Sequence, residues 1–142
     1  MIYMNDKFFF DTNILVYAND SNEKVKQKIA RDLIKYSLKK QTGVISVQVL
    51  SEFWVTVTRK LKEPLSFEIA EKEIELFQLM EIITLDYSMF KDALRIQRIV
   101  HISYWDSLIL AASNAAGCKT IYTEDLNHGQ IVSNMEIYNP FI

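Results

Sequence analysis

The chain has 142 residues, 49% of them apolar, with only three Gly and two Pro, which predicts one domain over 1–142 with a substantial core rather than a disordered segment. Its net charge of −2 gives no global attraction to nucleic acid, so a polyanionic partner would have to be held by local basic patches or a bound cation. No apolar run approaches membrane-spanning length, no basic segment followed by a long apolar run marks a signal peptide, and the lone Cys118 excludes an intramolecular disulfide; the expected location is the cytoplasm.

Residues 7–10 end in three Phe and predict a buried first strand, stopped by Asp11-Thr12-Asn13, with a short helical turn over 14–17. A polar loop over 19–22 leads into a helix over 23–40, where Val25, Ile29, Leu33-Ile34 and Leu38 recur with helical period beneath a basic outer face. Gly43 is expected to break that helix before a short strand at Val44-Ile45. Ser46 can cap a helix running to about Lys62, with Leu50, Phe53-Trp54, Val57 and Leu61 as its apolar stripe, and Pro64 ends it. Ser66 opens another helix, carrying Ile69, Ile74, Phe77 and Met80, and a third strand covers 82–85. Asp86 reads as the N-cap of a helix over 87–100 whose Phe90, Leu94, Ile96 and Val100 are spaced for a buried face. Ser103 starts a very apolar helix closed by Gly117, and strands follow at 120–122 and 135–138. Strands alternating with helices predict an α/β fold, a parallel sheet with helices on both faces, in which ligands bind beyond the carboxyl ends of the strands.

Four acids fall at that rim. Asp11 directly follows the first strand, Glu52 lies about two turns into the helix after the second, Asp106 is in the first turn of its helix, and Asp125 follows the fourth strand. Each lies beside bulky apolar residues, where a carboxylate is costly unless something neutralises it. Converging carboxylates raise one another's pKa values, and a divalent cation removes the conflict. Oxygen-only ligands favour a hard ion such as Mg²⁺ or Mn²⁺, whose chemistry suits water attack on a phosphodiester. Each acid also has a plainer reading. Asp11 and Asp106 can cap helices, Ser103-x-x-Asp106 having the form of a capping box; Glu52 can face solvent; Asp125 can make an Asx turn, with Glu124 beside it as a rival. Their joint order and their shared rim favour one site.

Other groups offer less. His101 and His128 have no ligand-like spacing, Cys118 starts a buried strand, and no Gly-rich phosphate loop is present. The many Lys and Arg side chains, among them Lys24 to Lys40, Arg59, Lys60, Lys62, Arg95 and Arg98, are dispersed over helices, and sequence does not single out any that binds phosphate.

The four acidic contexts resemble the PIN domain, a metal-dependent nuclease fold used by VapC-type toxins of toxin–antitoxin pairs, over essentially the whole chain. Phe-Phe-Asp-Thr-Asn-Ile-Leu is similar to the family's opening block, Val-Leu-Ser-Glu-Phe to its helix-borne Glu, Tyr-Trp-Asp-Ser-Leu-Ile-Leu-Ala-Ala to its third acid, and Tyr-Thr-Glu-Asp-Leu to its Thr-x-Asp block. The resemblance implies a three-layer α/β/α PIN-like fold with about five strands in the order 3-2-1-4-5. It implies that Asp11, Glu52, Asp106 and Asp125 are the catalytic, metal-binding acids, with Asn13 and Thr123 as supporting polar residues. It implies one or two Mg²⁺ or Mn²⁺ ions, RNA as substrate, cleavage leaving a 3′-hydroxyl and a 5′-phosphate, a homodimer, and an antitoxin that covers the acidic pocket. Two alternatives stand beside it. A haloacid-dehalogenase-like phosphatase also opens with Asp after an apolar strand but needs a second Asp where Asn13 stands. A non-catalytic PIN-like RNA-binding module would ordinarily lack one of the acids.

Overall fold

The computed structural model describes residues 6–142. Strand β1 (Phe8–Phe10) is the sheet's centre, because Phe9 and Phe10 are fully buried and can be covered only from both faces. It pairs in parallel with β2 (Gly43–Ser46) on one side and β4 (Thr120–Tyr122) on the other. Strand β3 (Glu81–Ile83) extends the sheet beyond β2, and β6 (Met135–Tyr138) beyond β4, both in parallel. A two-residue β5 (Ile131–Val132) runs antiparallel along β6 and gives the order β3-β2-β1-β4-β6-β5. The parallel strands thus keep the expected 3-2-1-4-5 order, with β6 as the fifth; β5 is an addition the periodicity did not show.

Helices α1 (Thr12–Tyr17) and α2 (Lys24–Lys40) join β1 to β2, and α3 (Val47–Val55) and α4 (Phe67–Phe77) join β2 to β3. Both crossovers step outward in the same direction, so right-handed connections lay these four helices on one face. Helices α5 (Tyr87–Val100) and α6 (Tyr104–Ala115) return from β3 to β4 and therefore cover the other face. The buried Phe9, Phe10, Ile14, Leu15, Ile45, Val49, Phe53, Phe77, Ile109, Leu110 and Ile121 form one continuous core between the layers. Among the described residues no helix is long and apolar enough to cross a membrane.

Four expectations need correction. Helix α2 is ended not by Gly43 but by Gln41, which takes the left-handed conformation at φ 56°. Gly43 is already in β2 and buried, and a Cβ there would meet Ser37 Oγ at 2.8 Å and Met80 Cγ at 3.2 Å, so glycine is required by close approach. Val25 is exposed, and the buried line of α2 starts at Ala30 and Ile34. The helix after Ser46 does not run evenly to Lys62: α3 widens at Thr56–Lys60 into a π turn, closed by Leu61 N–H donating to Thr56 O at 3.1 Å. Finally, α5 buries Ala93 and Ile96 but leaves Phe90 and Leu94 exposed, so part of its apolar stripe faces outward.

Candidate active site

The carboxyl edge of the sheet opens into a cleft because the chain leaves β1 and β4 side by side. Asp11 N–H still donates to Tyr122 O at 3.0 Å, and Thr123 N–H to Tyr138 O at 3.1 Å, so the ladder runs one residue past each strand end. Asp11 is thereby fixed as the N-cap of α1, its Oδ1 accepting from Thr12 N–H at 2.7 Å. Its Oδ2 accepts from the Thr123 hydroxyl at 2.7 Å. That hydroxyl also accepts from Asp125 N–H at 3.1 Å, so its proton is committed to Asp11.

Asp11 is only 5% exposed. Burial pushes its carboxyl up to about 7; the hydrogen bonds from Thr123 and Thr12 oppose this and lose, and the charges of Asp125 and Asp106 add to it. The capping reading and the site reading of Asp11 therefore describe the same carboxylate.

The other three acids reach the same cleft from different elements. Glu52, on α3, accepts from the Thr12 hydroxyl at Oε1 (2.8 Å). Asp125 accepts from Asn13 Nδ2 at Oδ2 (3.1 Å), while Asn13 Oδ1 accepts from Glu124 N–H at 3.3 Å, which fixes the way the amide faces. The N-cap of α6 is Ser103, whose Oγ accepts from the Asp106 backbone N–H at 3.0 Å, so Asp106 takes part in the cap through its main chain. Its half-buried carboxyl is raised above the ordinary range, first by desolvation and further by Asp125, with Ser103 pulling the other way.

Asp11, Glu52, Asp106 and Asp125 all line one cleft of about 660 Å³, with Thr12 and Asn13 between them. Thr123 is fully buried beneath it and reaches it only through Asp11 and Asp125. Among the described residues no three acids are already gathered tightly enough to hold an ion, since Glu52 and Asp125 rest on neutral donors. The oxygen-only donor set nevertheless fits a hard divalent ion, whose charge would relieve the cost that burial, and the neighbouring Asp125 and Asp106, impose on the Asp11 carboxylate.

The rivals sort themselves out. Glu124 is spent elsewhere: it accepts from Tyr17 Oη and Lys26 Nζ, each at 2.6 Å, and does not itself line the cleft. Burial would raise Glu124, but Lys26 and Tyr17 outweigh it and its pKa is lowered. Asp86 caps α5, accepting from Met89 N–H at 2.9 Å, and does not line the cleft. His101 forms the left-handed end of α5, and His128 Nδ1 accepts from Asn139 N–H at 3.0 Å. Burial pushes the Cys118 thiol up to about 11. Sequence reasoning had not singled out Thr12, Asp20 and Lys60, which also line the cleft. Thr12 could have been found as the residue between two site positions; nothing in the linear pattern points to the other two.

Comparison with known proteins follows the same geometry. The family model described as PIN domain matches residues 8–132. No curated protein matches the sequence. Among solved structures, a toxin–antitoxin complex from Klebsiella pneumoniae superposes with a TM-score of 0.70 at 14% identity, covering 94% of this chain and 98% of that one. VapBC2 from Rickettsia felis bound to a promoter DNA fragment gives 0.67 at 21% identity, covering 93% and 97%. VapC20 from Mycobacterium tuberculosis, a sarcin–ricin-loop-cleaving toxin, gives 0.63 at 16% identity, covering 81% and 87%. At these identities the likeness is one of fold.

Proposed function

We propose that this chain, which belongs to the PIN domain family, is a metal-dependent endoribonuclease, a single nuclease domain over 1–142 acting in the cytoplasm as the toxin of a type II toxin–antitoxin pair. One observation carries the reading: a buried carboxyl, Asp11, with its pKa pushed up to about 7, faces three further carboxylates across one cleft at the carboxyl edge of the sheet. Four isolated helix caps or solvated acids would not converge. The names of the similar structures, toxins and toxin–antitoxin complexes, support both the activity and an antitoxin partner; that partner would cover the acidic cleft.

Asp11, Glu52, Asp106 and Asp125 would hold the ion. When bound, one or two Mg²⁺ or Mn²⁺ ions would neutralise the carboxylates and supply an activated water for attack on an RNA phosphodiester. Glu52 and Asp125 each engage a neutral donor through one oxygen, leaving Oε2 and Oδ1 for that task. Thr123 holds Asp11 by its hydroxyl and the loop before Asp125 by accepting from Asp125 N–H, so it sets the relation between two of the acids. Asn13 does the same from the other side, through Asp125 and Glu124 N–H. A homodimer is supported by the apolar side chains that α3 and α5 leave exposed.

Asp11→Asn and Asp106→Asn are expected to abolish Mn²⁺-dependent RNA cleavage while the fold survives, and Glu52→Gln to do likewise. Wild-type cleavage by purified Asp11→Asn, with contaminating nuclease excluded, would sink the assignment. Intact RNA binding without any cleavage by the wild type would favour the non-catalytic binding module instead.

A further inference from the structure

The cleft that holds the four acids also admits one cation. Its lining includes Asp11, Asp20, Glu52, Asp106 and Asp125 on the negative side and, on the positive side, Lys60 alone. The ion pairs among the described residues are Lys7–Glu81, Lys26–Glu124, Lys28–Asp32 and Arg95–Asp92, so Lys60 reaches the cleft without being consumed by any of its carboxylates. Its position is a product of the π turn. Along an α-helix a residue four further on leads its predecessor by about 40°. From Glu52 to Thr56 that drift accumulates over regular α-helix; from Thr56 to Lys60 the wider turn falls short of a full circle and takes it back. Lys60 therefore returns to the face of Glu52, two turns beyond it. Leu65 N–H donating to Val57 O at 2.8 Å ties the chain that follows back onto this turn.

We infer that Lys60 is a phosphate-binding residue of this cleft, its ammonium holding a phosphate oxygen of a single-stranded RNA laid across the four carboxylates. The inference rests on the ribonuclease reading and adds to it the group that admits a polyanion. Five carboxylates in one cleft repel a phosphodiester chain, and an ion held by Asp11, Glu52, Asp106 and Asp125 would neutralise only some of that charge. A strand crossing the cleft carries more than one phosphate, so a phosphate beyond the reacting one needs a partner of its own. There Lys60 supplies the missing positive charge at the end of a flexible stem that can follow the strand. Arg59 and Lys62, its basic neighbours in sequence, do not line the cleft and are not assigned this role.

The test uses the full chain and a fluorescein-labelled single-stranded RNA. Binding is followed by anisotropy in millimolar Ca²⁺ over a range of salt, and cleavage is followed separately in Mn²⁺. The variants are Lys60→Gln and Lys60→Arg, with Lys119→Gln, at the opposite end of the sheet before β4, as the remote control. Lys60→Gln is expected to weaken RNA binding roughly tenfold and to lower the slope of log affinity against log salt by about 0.7, the share of one phosphate contact on a single strand. Its kcat/KM should fall roughly tenfold to a hundredfold. Lys60→Arg should restore the slope, and Lys119→Gln should leave it unchanged; a merely structural role for Lys60 would not move the slope. An unchanged slope in Lys60→Gln overturns the inference even if cleavage is lost. A lowered slope in a protein whose wild type binds but never cleaves upholds Lys60 and sinks the ribonuclease reading alone. A wild type that neither binds nor cleaves RNA overturns both.

Discussion

Asp11 is the residue at which the site's chemistry can be read as stability. Its carboxyl is pushed from an ordinary value of 3.8 up to about 7 by burial, with Asp125 and Asp106 adding to the shift. The folded state thus binds a proton that the unfolded chain releases between these two values. Its contribution is fully present below about 3.8 and is lost as pH rises through about 7; above that it is constant. The shift corresponds to a destabilisation on the order of 4 kcal/mol at higher pH, which a divalent ion held by the proposed site would offset. The metal-free wild type should therefore melt at lower temperature at pH 7 than at pH 5, and Asp11→Asn should lose most of that difference. Asparagine keeps the bond from Thr12 N–H, and the Thr123 hydroxyl can turn to accept from the amide. Asp11→Asn should accordingly raise the apo melting temperature at pH 7, by several degrees, and should lack the stabilisation by Mn²⁺ expected of the wild type. An apo melting curve of Asp11→Asn below that of wild type, with a wild type indifferent to millimolar Mn²⁺, would return Asp11 to a simple cap.

At the scale of elements, caps and active-site acids are built from the same residue types, and only position separates them. Asp86, Ser46, Ser66 and Ser103 each accept from the backbone N–H three residues on. Asp86 lies at a strand end like Asp11, yet it serves α5 alone. Asp86→Asn should leave both cleavage and stability near wild type, and Asp86→Ala should cost about 1 kcal/mol of stability while cleavage per folded molecule is retained. Loss of cleavage in a folded Asp86→Asn would mean that the acidic site belongs to β3. These capped starts, with the Phe run of β1, were legible in the sequence because each rests on short-range chemistry. Asp11, Asp106 and Asp125 were legible as candidates because each follows a strand end or a helix start, and Glu52, two turns into its helix, only through its joint order with them. The π turn was not, since Phe53, Val57 and Leu61 continue the stripe straight through it, and with it went the placement of Lys60. Nor was the β5–β6 hairpin: its turn residues Ser133 and Asn134 both have positive φ, a conformation usually announced by a glycine that is absent here. Which apolar side of α5 is buried is likewise set by α6 packed against it, not by spacing within α5.

For the whole molecule, the outward side of α5 is the feature a lone copy leaves unexplained. Tyr87 is 72% exposed and Trp105, at the start of α6, 61%; Phe90 and Leu94, on the same side of α5 as Tyr87, are exposed with them. The rings of Tyr87, Phe90, Tyr104 and Trp105 follow one another with centroids 6.1, 6.1 and 5.0 Å apart, so they form a continuous surface rather than scattered apolar residues. Contiguous patches of this kind mark interaction sites, and an interface between identical copies is the commonest way to cover one. The patch ends at Trp105, next to Asp106, so a twofold contact through α5 would bring two acidic clefts to the border of one interface, each kept open to substrate. The wild type is expected to sediment as a dimer at micromolar concentration. Leu94→Glu places a charge in the middle of the patch without touching the core, since Ala93 and Ile96 face inward. It should sediment as a monomer with an unchanged circular dichroism spectrum and an unimpaired response of its melting temperature to Mn²⁺. A wild type that remains monomeric at that concentration removes the homodimer, and a Leu94→Glu dimer as tight as wild type moves the interface away from α5 to the exposed residues of α3.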